Sequence, residues 1–367
     1  MVSLVRLLTA SLLLSPALVA AQLNMPRGVT PVSRDIYDLH MEVIWIVCGI
    51  MAVVYGVVIY TLIKHRKSKG AVAAKFSENT PLEIIWTIIP MLIITAILIP
   101  SIRLLVDMDD FEAADLTVKI TGHQWKWQYE YLEHGVGFFS DLSTPMSQVL
   151  GVDQKDEWYL LEVDEPLVLP TDRKVRFVVT SNDVIHSWWV PALGIKRDAV
   201  PGYVFEAWAR IQEPGVYRGQ CAELCGVNHG FMPIVVKAVA PDAFDSWIAK
   251  RANLPPKVSS DSGWTMATAL ERGAVLYDQH CGACHKYDGS GMPPTFPALR
   301  NSSIATSTDI SRHIELVLNG VPGTAMAAYA PQLDDEELAA IITYERNAWE
   351  HDTGDLVMPS DIQARRR

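Results

Sequence analysis

Two long apolar segments constrain this chain more than any other feature of its sequence. They run from about residue 41 to 63 and from about residue 82 to 105. Each is long enough to cross a bilayer as one α-helix, which requires about 20 apolar residues. The composition agrees, because 49% of the 367 residues are hydrophobic. The sequence therefore predicts a two-helix transmembrane hairpin and excludes an ordinary water-soluble globular protein.

The charges around the two segments set the orientation of the hairpin. The loop between them has no acidic residue before Glu78, whereas four acidic residues follow the second segment closely. The basic residues of the loop are Lys64, Arg66, Lys67, Lys69 and Lys75. By the positive-inside rule this loop is cytoplasmic. The N-terminus and everything after residue 107 then lie outside the cytoplasm.

The first residues have the pattern of an export signal. Arg6 precedes an apolar run from Leu7 to Leu14, and small residues lead up to Ala21. We predict a signal peptide at residues 1–21, cleaved after Ala21, with an uncleaved signal anchor as the alternative. The run is too short for a membrane span, which favours cleavage. The transmembrane hairpin then occupies residues 22–106.

The outer portion divides into two domains by composition. Residues 107–250 contain short runs rich in Val, Tyr and Trp between Gly, Pro and Asp turns, which is typical of a β-sandwich. Residues 251–262 contain prolines and serines and are predicted to be a linker. Residues 263–355 carry helical patterns, one starting with Asp334 as N-cap and Glu337 as its capping-box partner. They predict a small all-α domain, followed by a tail at residues 356–367.

The stretch CAELCGVNHGFM, residues 221–232, places two thiols, an imidazole and a thioether close together. In an exported protein Cys221 and Cys225 could form a disulfide. Zinc is another alternative, but its closed sites use Cys, His and carboxylate ligands rather than a thioether. Copper binds thiolate, imidazole and weak methionine ligands. A mononuclear blue-copper site uses one cysteine, so the second thiolate favours two coppers bridged by both sulfurs.

Two bridged coppers need more ligands than this stretch provides. His229 and Met232 supply one imidazole and one weak axial donor, which leaves one of each to be found. His186, at the end of an apolar strand, is the best candidate among His123, His134 and His186 for the second imidazole. Such a site suits electron transfer, because a small change of charge is spread over two metals. It leaves no open position for a substrate.

The second cysteine cluster, CGACH at residues 281–285, is the attachment signal for a c-type haem. Cys281 and Cys284 would form thioethers with the macrocycle, and His285 would ligate the iron. A methionine on the opposite side raises the reduction potential relative to a second histidine. Met292 is too close to His285 in sequence to reach round the ring. We therefore predict Met326 as the second axial ligand.

The first cluster and the hairpin resemble subunit II of the haem-copper cytochrome c oxidases. The dinuclear CuA site of that family combines a histidine with the pattern Cys-x-Glu-x-Cys-x3-His-x2-Met, and every position is filled here. The resemblance implies these side-chain copper ligands: His186, Cys221, Cys225, His229 and Met232. It also implies the backbone carbonyl of Glu223 as the second axial donor. The Glu223 carboxylate would reach a magnesium or manganese ion at the contact with subunit I.

The resemblance gives roles to two further residues. By itself, Glu83 is a capping residue, with Thr80 as N-cap and Pro81 at the first helical position. The family places this glutamate at the cytoplasmic mouth of a proton pathway into subunit I. By itself, Trp125 is one of several core or interface aromatics. The family uses the matching tryptophan as the point where electrons arrive from cytochrome c, although the next residue, Lys126, is commonly tyrosine there.

The C-terminal part resembles a small monohaem cytochrome c domain, a fusion found in some bacterial oxidase subunits II. The resemblances imply a cupredoxin-like β-sandwich with dinuclear copper A, and one covalently attached haem c. The chain would relay electrons from cytochrome c or another redox donor to subunit I, where oxygen is reduced. Further expected partners are subunit III and the lipid bilayer, but no nucleic acid. The alternatives are the electron-accepting subunit of another respiratory enzyme, such as nitric oxide reductase, or a stand-alone membrane-anchored electron carrier or copper-delivery protein.

Overall fold

A computed structural model of the chain describes residues 24–73, 75–253 and 260–366. The predicted signal peptide at residues 1–21 lies outside these ranges, as does the middle of the predicted linker. The described part contains two long apolar helices, a β-sandwich and a domain of short helices, in that order. This confirms the predicted fold class.

Helices α1 (Pro31–Lys64) and α2 (Thr80–Met108) form the hairpin. Their most apolar 18-residue windows have mean hydropathies of 2.5 and 2.4, and neither window is buried against other parts of the protein. Lipid is the surrounding that suits such exposed apolar surfaces. Helix α1 begins well before the predicted residue 41, because it continues beyond the apolar segment to the sandwich.

The start of α2 differs by one residue from the prediction. The N-cap is Asn79 rather than Thr80, and the Asn79 side chain accepts a hydrogen bond from the Leu82 amide at 3.2 Å. Glu83 Oε1 in turn accepts from the Asn79 amide at 3.1 Å. Asparagine caps a helix at least as well as threonine, so the pattern alone could not decide between them. Glu83 closes the start of the helix as predicted.

Both helices are joined to the sandwich at their outer ends. Thr30, the N-cap of α1, donates its hydroxyl to the carbonyl oxygen of Leu193 at 3.0 Å. Near the end of α2, Trp208 Nε1 donates to the carbonyl oxygen of Asp107 at 3.0 Å. These bonds connect the outer ends of the two helices with a loop and a strand of the sandwich. The hairpin therefore holds the sandwich by two attachments.

The strands of the sandwich form two five-stranded sheets. The first sheet contains β1 (Leu116–His123), β2 (Lys126–Tyr131), β3 (Val136–Ser140), β5 (Val175–Ser181) and β8 (Phe205–Ala209). The second contains β4 (Leu167–Pro170), β6 (His186–Val190), β7 (Ile195–Ala199), β9 (Gly215–Cys221) and β10 (Pro233–Val239). Their orders are β3-β2-β1-β5-β8 and β4-β10-β9-β6-β7. The β1/β5 and β4/β10 pairs are parallel, and the other pairs are antiparallel.

Alternating burial explains how the sheets pack. Along β5, Val175, Phe177 and Val179 are buried, whereas the residues between them are half-exposed. This is the period of two expected for a strand with one face on the core. Trp127 and Trp188 are fully buried between the sheets. A single apolar core therefore holds the strands that carry the first cysteine cluster.

Short helices complete the described part of the chain. They are α3 (Met146–Val149), α4 (Pro241–Ala252), α5 (Met266–His280), α6 (Gly282–His285), α7 (Ser311–Asn319), α8 (Asp335–Asn347) and α9 (Pro359–Gln363). Helix α4 packs on the sandwich, and α5 to α9 form a separate helical domain. The capping box of Asp334 and Glu337 at the start of α8 is confirmed. Gly273 lets α5 cross α8 closely, since a Cβ there would lie 2.2 Å from the Ala340 carbonyl oxygen.

The segment predicted to be a tail packs on the helical domain. Val357 and Ile362 are fully buried in its core. The indole Nε1 of Trp264 donates to the carbonyl oxygen of Val357 at 2.9 Å. The packed unit thus extends beyond the predicted boundary at residue 355, because two apolar side chains in this short segment complete the core.

Candidate metal and haem sites

The first cysteine cluster lies at one end of the sandwich, where three strands meet. Cys221 is the last residue of β9, and Cys225 and His229 follow in the connection to β10. Met232 directly precedes β10. His186 is the first residue of β6, which pairs with β9. Strand pairing therefore brings a histidine that is distant in sequence to the cysteine loop.

The loop donors converge on the two sulfurs. Cys221 Sγ and Cys225 Sγ are 3.8 Å apart. His229 Nδ1 and Met232 Sδ each lie 3.5 Å from Cys225 Sγ. The backbone oxygen of Glu223 lies 3.3 Å from Cys221 Sγ. The structure thus brings together all the donors that were expected from this stretch, and both thiols are free rather than joined in a disulfide.

His186 is the imidazole that joins them. One of its ring nitrogens and the sulfurs of Cys221 and Cys225 lie within 4.8 Å of one another, and all three residues are buried. His123 instead contacts a glutamine side chain of β2, and His134 packs against a phenylalanine of α4. Neither belongs to the group, so the geometry selects His186 from the three candidates.

The surroundings of His186 fit a metal ligand. Its Nδ1 is buried without a hydrogen-bond partner, whereas Nε2 lies 2.8 Å from Asp183 Oδ1. A carboxylate behind an imidazole typically orients the ring of a metal-bound histidine. Gly122 leaves room for the ring, since a Cβ there would lie 2.8 Å from His186 Cδ2. A buried nitrogen without a partner is costly unless a ligand completes it.

The two thiols differ in acidity because they are neighbours. The hydrogen bond from Cys225, together with the contact to His186, lowers the pKa of the Cys221 thiol well below its usual value. The neighbouring Cys221, together with burial, raises the pKa of the Cys225 thiol far above its usual value. Two adjacent thiolates repel each other, so the second ionises only when a cation is bound. Two sulfurs, imidazoles and weak axial donors form a set that suits copper.

Two predicted side chains lie away from the converging copper donors: that of Glu83 is half-buried, and that of Glu223 is exposed. No second group of metal-binding side chains is found in residues 24–73, 75–253 and 260–366. A magnesium or manganese ion at Glu223 stays a prediction, and its remaining ligands would come from another subunit. Glu83 lies in the first turn of α2, on the predicted cytoplasmic side.

The second cysteine cluster lines a cavity of about 790 Å³. Cys281, Cys284 and His285 all face it from α6 and the turn before it. His285 Nδ1 donates to the carbonyl oxygen of Pro297 at 2.8 Å, so Nε2 is the nitrogen free to ligate iron. Burial raises the pKa of the Cys284 thiol to about 11. The volume suits one large ligand, and the position of the thiols fits covalent attachment of a haem.

The two candidate methionines differ in position. Met326 lines the same cavity as His285. Met292 is not among the lining residues, and its amide donates to the carbonyl oxygen of Phe296 at 2.8 Å within a tight turn. The structure therefore supports Met326 as the ligand opposite His285.

The sandwich closes one side of this cavity. Trp125 and Lys126 line it together with residues of the helical domain. The Trp125 ring lies 6.4 Å from the Phe296 ring in an edge-to-face arrangement. Its Nε1 donates to the carbonyl oxygen of Cys225 at 3.1 Å, and Trp125 is only 8% exposed. Trp125 therefore contacts both candidate sites at once.

Sequence reasoning missed two residues that support these sites. Asp183 orients His186, and its position three residues before a candidate ligand was a usable signal. Phe296 lies between prolines in a loop, and nothing in that pattern indicates a contact with Trp125.

Comparisons with known proteins identify each region of the chain. Residues 116–239 match the family described as cytochrome C oxidase subunit II, periplasmic domain. Residues 18–104 match the transmembrane domain of the same subunit. Residues 268–344 match the family described as cytochrome C oxidase, cbb3-type, subunit III.

Individual relatives agree with these matches. A probable cytochrome c oxidase subunit 2 of Rickettsia bellii is 42% identical over 230 residues, which are 63% of this chain and 84% of the relative. Cytochrome c oxidase subunit 2 of Cereibacter sphaeroides is 37% identical over 234 residues, 60% of this chain and 77% of the relative. The crystal structure of the periplasmic domain of cytochrome oxidase subunit II from Bradyrhizobium japonicum is 39% identical. It covers 38% of this chain and 94% of that domain, with a TM-score of 0.34.

The variant Asp183→Asn tests the support of His186. Without the negative charge behind the ring, we expect copper to bind about 10- to 100-fold more weakly. Asp198→Asn is the matched control, because Asp198 accepts a hydrogen bond from Ser187 at 2.7 Å rather than from the imidazole. Competition with a copper chelator measures both affinities. An equal loss in both variants would show that Asp183 does not hold the ring.

Leucine substitutions distinguish the two candidate haem ligands. We expect Met326→Leu to remove an axial ligand, which lowers the reduction potential of the haem and lets carbon monoxide bind the ferrous iron. Met292→Leu should change neither property, because Met292 does not line the cavity. Potentiometric titration and carbon monoxide binding measure the two effects. The assignment is wrong if only Met292→Leu admits carbon monoxide.

Proposed function

Since this chain belongs to the cytochrome c oxidase subunit II family, in the variety with a fused C-terminal cytochrome c domain, we propose that it relays electrons through haem c and a dinuclear copper A centre to subunit I. It is a subunit of an oxidase, anchored in the inner membrane with its outer domains in the periplasm. The observation that carries the proposal is the position of Trp125, which contacts both sites. Because the relatives are oxidase subunits, oxygen reduction is favoured over nitric oxide reduction.

The copper A centre would use the donors that converge at the end of the sandwich. They are the side chains of His186, Cys221, Cys225, His229 and Met232, and the backbone oxygen of Glu223. Bound copper supplies one-electron chemistry and the positive charge that both thiolates require. The buried sandwich core holds the donors in place, so little rearrangement accompanies a change of charge.

The haem site would use the donors that line the cavity in the helical domain. Cys281 and Cys284 would attach the haem, and His285 and Met326 would ligate its iron. Bound haem supplies a second one-electron carrier, whose potential the methionine raises. The carbonyl oxygen of Pro297 holds the His285 ring in one orientation. The walls of the cavity are mostly apolar, with Lys126 and Asp141 among the polar residues that line it.

Trp125 provides a packed connection between these two sites. It contacts Phe296 on the haem side and the Cys225 carbonyl on the copper side. Because it is nearly buried beneath the helical domain, a soluble donor cannot stack on it. The external donor, cytochrome c or another redox protein, would therefore deliver electrons to the haem c.

Two residue roles and one partner, all expected from the family, complete the proposal. Glu83 would mark the entrance of a proton pathway, and its position near the cytoplasmic end of α2 supports this. Glu223 would reach a magnesium or manganese ion at the subunit I contact, and its exposed side chain is available for that role. Subunit III is the remaining expected partner.

Transfer between the two sites tests the proposed relay. In the full chain carrying haem and copper, we expect a flash-generated reductant to reduce the haem first. The electron should then pass from the haem to copper at a rate independent of protein concentration. Gly226→Ala should slow this transfer about tenfold or more, since a Cβ would lie 2.9 Å from Trp125 Cζ2. Gly230→Ala is the control in the same loop, with no atom within 4 Å of its Cβ. Absence of transfer in the unmodified chain would refute the relay.

Glu83→Gln separates the proton role of this residue from its helix cap. Glutamine keeps an oxygen that can accept from the Asn79 amide, so the helix start stays intact. We expect slower proton uptake by the assembled oxidase with Glu83→Gln, measured with a pH indicator. Glu83→Ala loses both functions and reports the effect of the cap. Normal proton uptake in Glu83→Gln would restrict Glu83 to capping.

A further inference from the structure

We propose that Lys126 is the residue that fixes the helical domain on the sandwich, through a buried cation–aromatic contact at the rim of the haem cavity. Its consequence for electron transfer depends on the proposed relay, whereas the contact itself does not. Lys126 opens β2 directly after Trp125, so it controls the same side of the cavity.

The burial of Lys126 is unusual for a lysine. Its side chain is only 6% exposed. Lysines are rarely buried unless their charge is compensated. The nearest acidic group is Asp141, whose Oδ2 lies 3.9 Å from the Lys126 ammonium. This separation is at the outer limit of an ion pair, so Asp141 alone compensates the charge poorly.

Aromatic rings from both domains supply the remaining compensation of the Lys126 charge. The Lys126 ammonium lies 5.4 Å from the ring centre of Phe139, on β3 of the sandwich. It lies 5.1 Å from the ring centre of Tyr329, which belongs to the helical domain. Cations within about 6 Å of a ring centre are attracted to it, and the attraction grows when water is excluded. The ammonium of Lys126 is therefore attracted to one ring on each side of the domain boundary.

Tyr329 is itself held next to the haem attachment site. Its hydroxyl donates to the carbonyl oxygen of His280 at 2.7 Å, and His280 ends α5 directly before Cys281. A cation held against Tyr329 thus positions the turn that carries the first haem cysteine. Docking through Lys126 would bring the haem cavity against Trp125.

Lys119 shows what an ordinary lysine of the same sheet looks like. Its side chain is 38% exposed and pairs with Glu130 at 2.6 Å on the surface. Surface pairs of this kind contribute little to stability. Lys119 therefore offers a matched control for a change of charge without a change of docking.

The proposal predicts a property that packing alone would not change. A positive charge at the cavity rim favours the reduced haem, which is less positive than the oxidised haem. Loss of the Lys126 charge should therefore lower the reduction potential of the haem. If Lys126 acted only by filling space, its replacement by a neutral side chain of similar size would leave the reduction potential of the haem unchanged.

The experiment uses the full chain with both cofactors bound. Lys126→Gln removes the charge and keeps a polar side chain, Lys126→Arg keeps a cation that stacks on rings, and Lys119→Gln is the control. Pulsed EPR measures the distribution of copper-to-haem distances, and potentiometry measures the haem potential. We expect Lys126→Gln to raise the undocked fraction about tenfold, which broadens the distribution, and to lower the potential. Lys126→Arg and Lys119→Gln should match the unmodified chain.

Variants of Tyr329 test the contact from the helical domain, away from the copper ligands. Tyr329→Leu should reproduce the broad distribution, whereas Tyr329→Phe keeps the ring and should stay docked. The double variant of Lys126→Gln with Tyr329→Leu should be no worse than either alone, because both remove one contact. A narrow distance distribution in Lys126→Gln would overturn the proposal whatever the haem potential, even if electrons pass from haem to copper. A chain without such transfer would refute the relay, while the distance distributions would still test the docking contact.

Discussion

Repulsion between two adjacent sulfurs is the constraint on which the rest of this structure depends. Cys221 and Cys225 lie 3.8 Å apart in a buried site, where two negative charges cannot persist without a cation. The protein must hold them close before the metal arrives. Gln124 and Trp125 help by donating hydrogen bonds to the Cys225 carbonyl oxygen, at 2.8 and 3.1 Å. The connection between β1 and β2 in the first sheet thus holds the loop between β9 and β10 in the second sheet, so both sheets position the cysteines.

The same connection also reaches the second site. Trp125 faces the copper ligands with its indole nitrogen and Phe296 with its ring, while Lys126 contacts Tyr329. Trp125 and Lys126, which are adjacent in sequence, therefore contribute a hydrogen bond to the copper loop, contacts between the two domains and part of the wall of the haem cavity. An electron carrier that exchanges with solution must separate from its partner after every turnover. Under the proposed relay the carrier is part of the chain, so its contact with the sandwich can stay closed and can bury the charge of Lys126.

The closeness of the expected copper donors was predictable for those in the cysteine loop, because five of the six expected donors lie within residues 221–232. His186 required a choice among three histidines, since only the pairing of β6 with β9 brings it to the loop. The cap of α2 was displaced to Asn79 because two neighbouring residues can both cap a helix. The contacts of Phe296 and Lys126 were beyond prediction, because they arise from docking of two domains and leave no local pattern. The packing of Val357 and Ile362 was hidden for the same reason, in a segment too short to show a period.

The attachment of α1 at Thr30 has a geometric consequence. This helix is continuous from the membrane to the sandwich, and Thr30 joins its first turn to the loop at Leu193. A helix turns by about 100° for each added residue, so one extra residue between bilayer and sandwich would swing the copper ligands to another side. The number of residues in α1 thus affects the rotation of the sandwich about the axis of this helix. Together with the attachment of α2 at Asp107, it favours one face of the sandwich for contact with the neighbouring subunit.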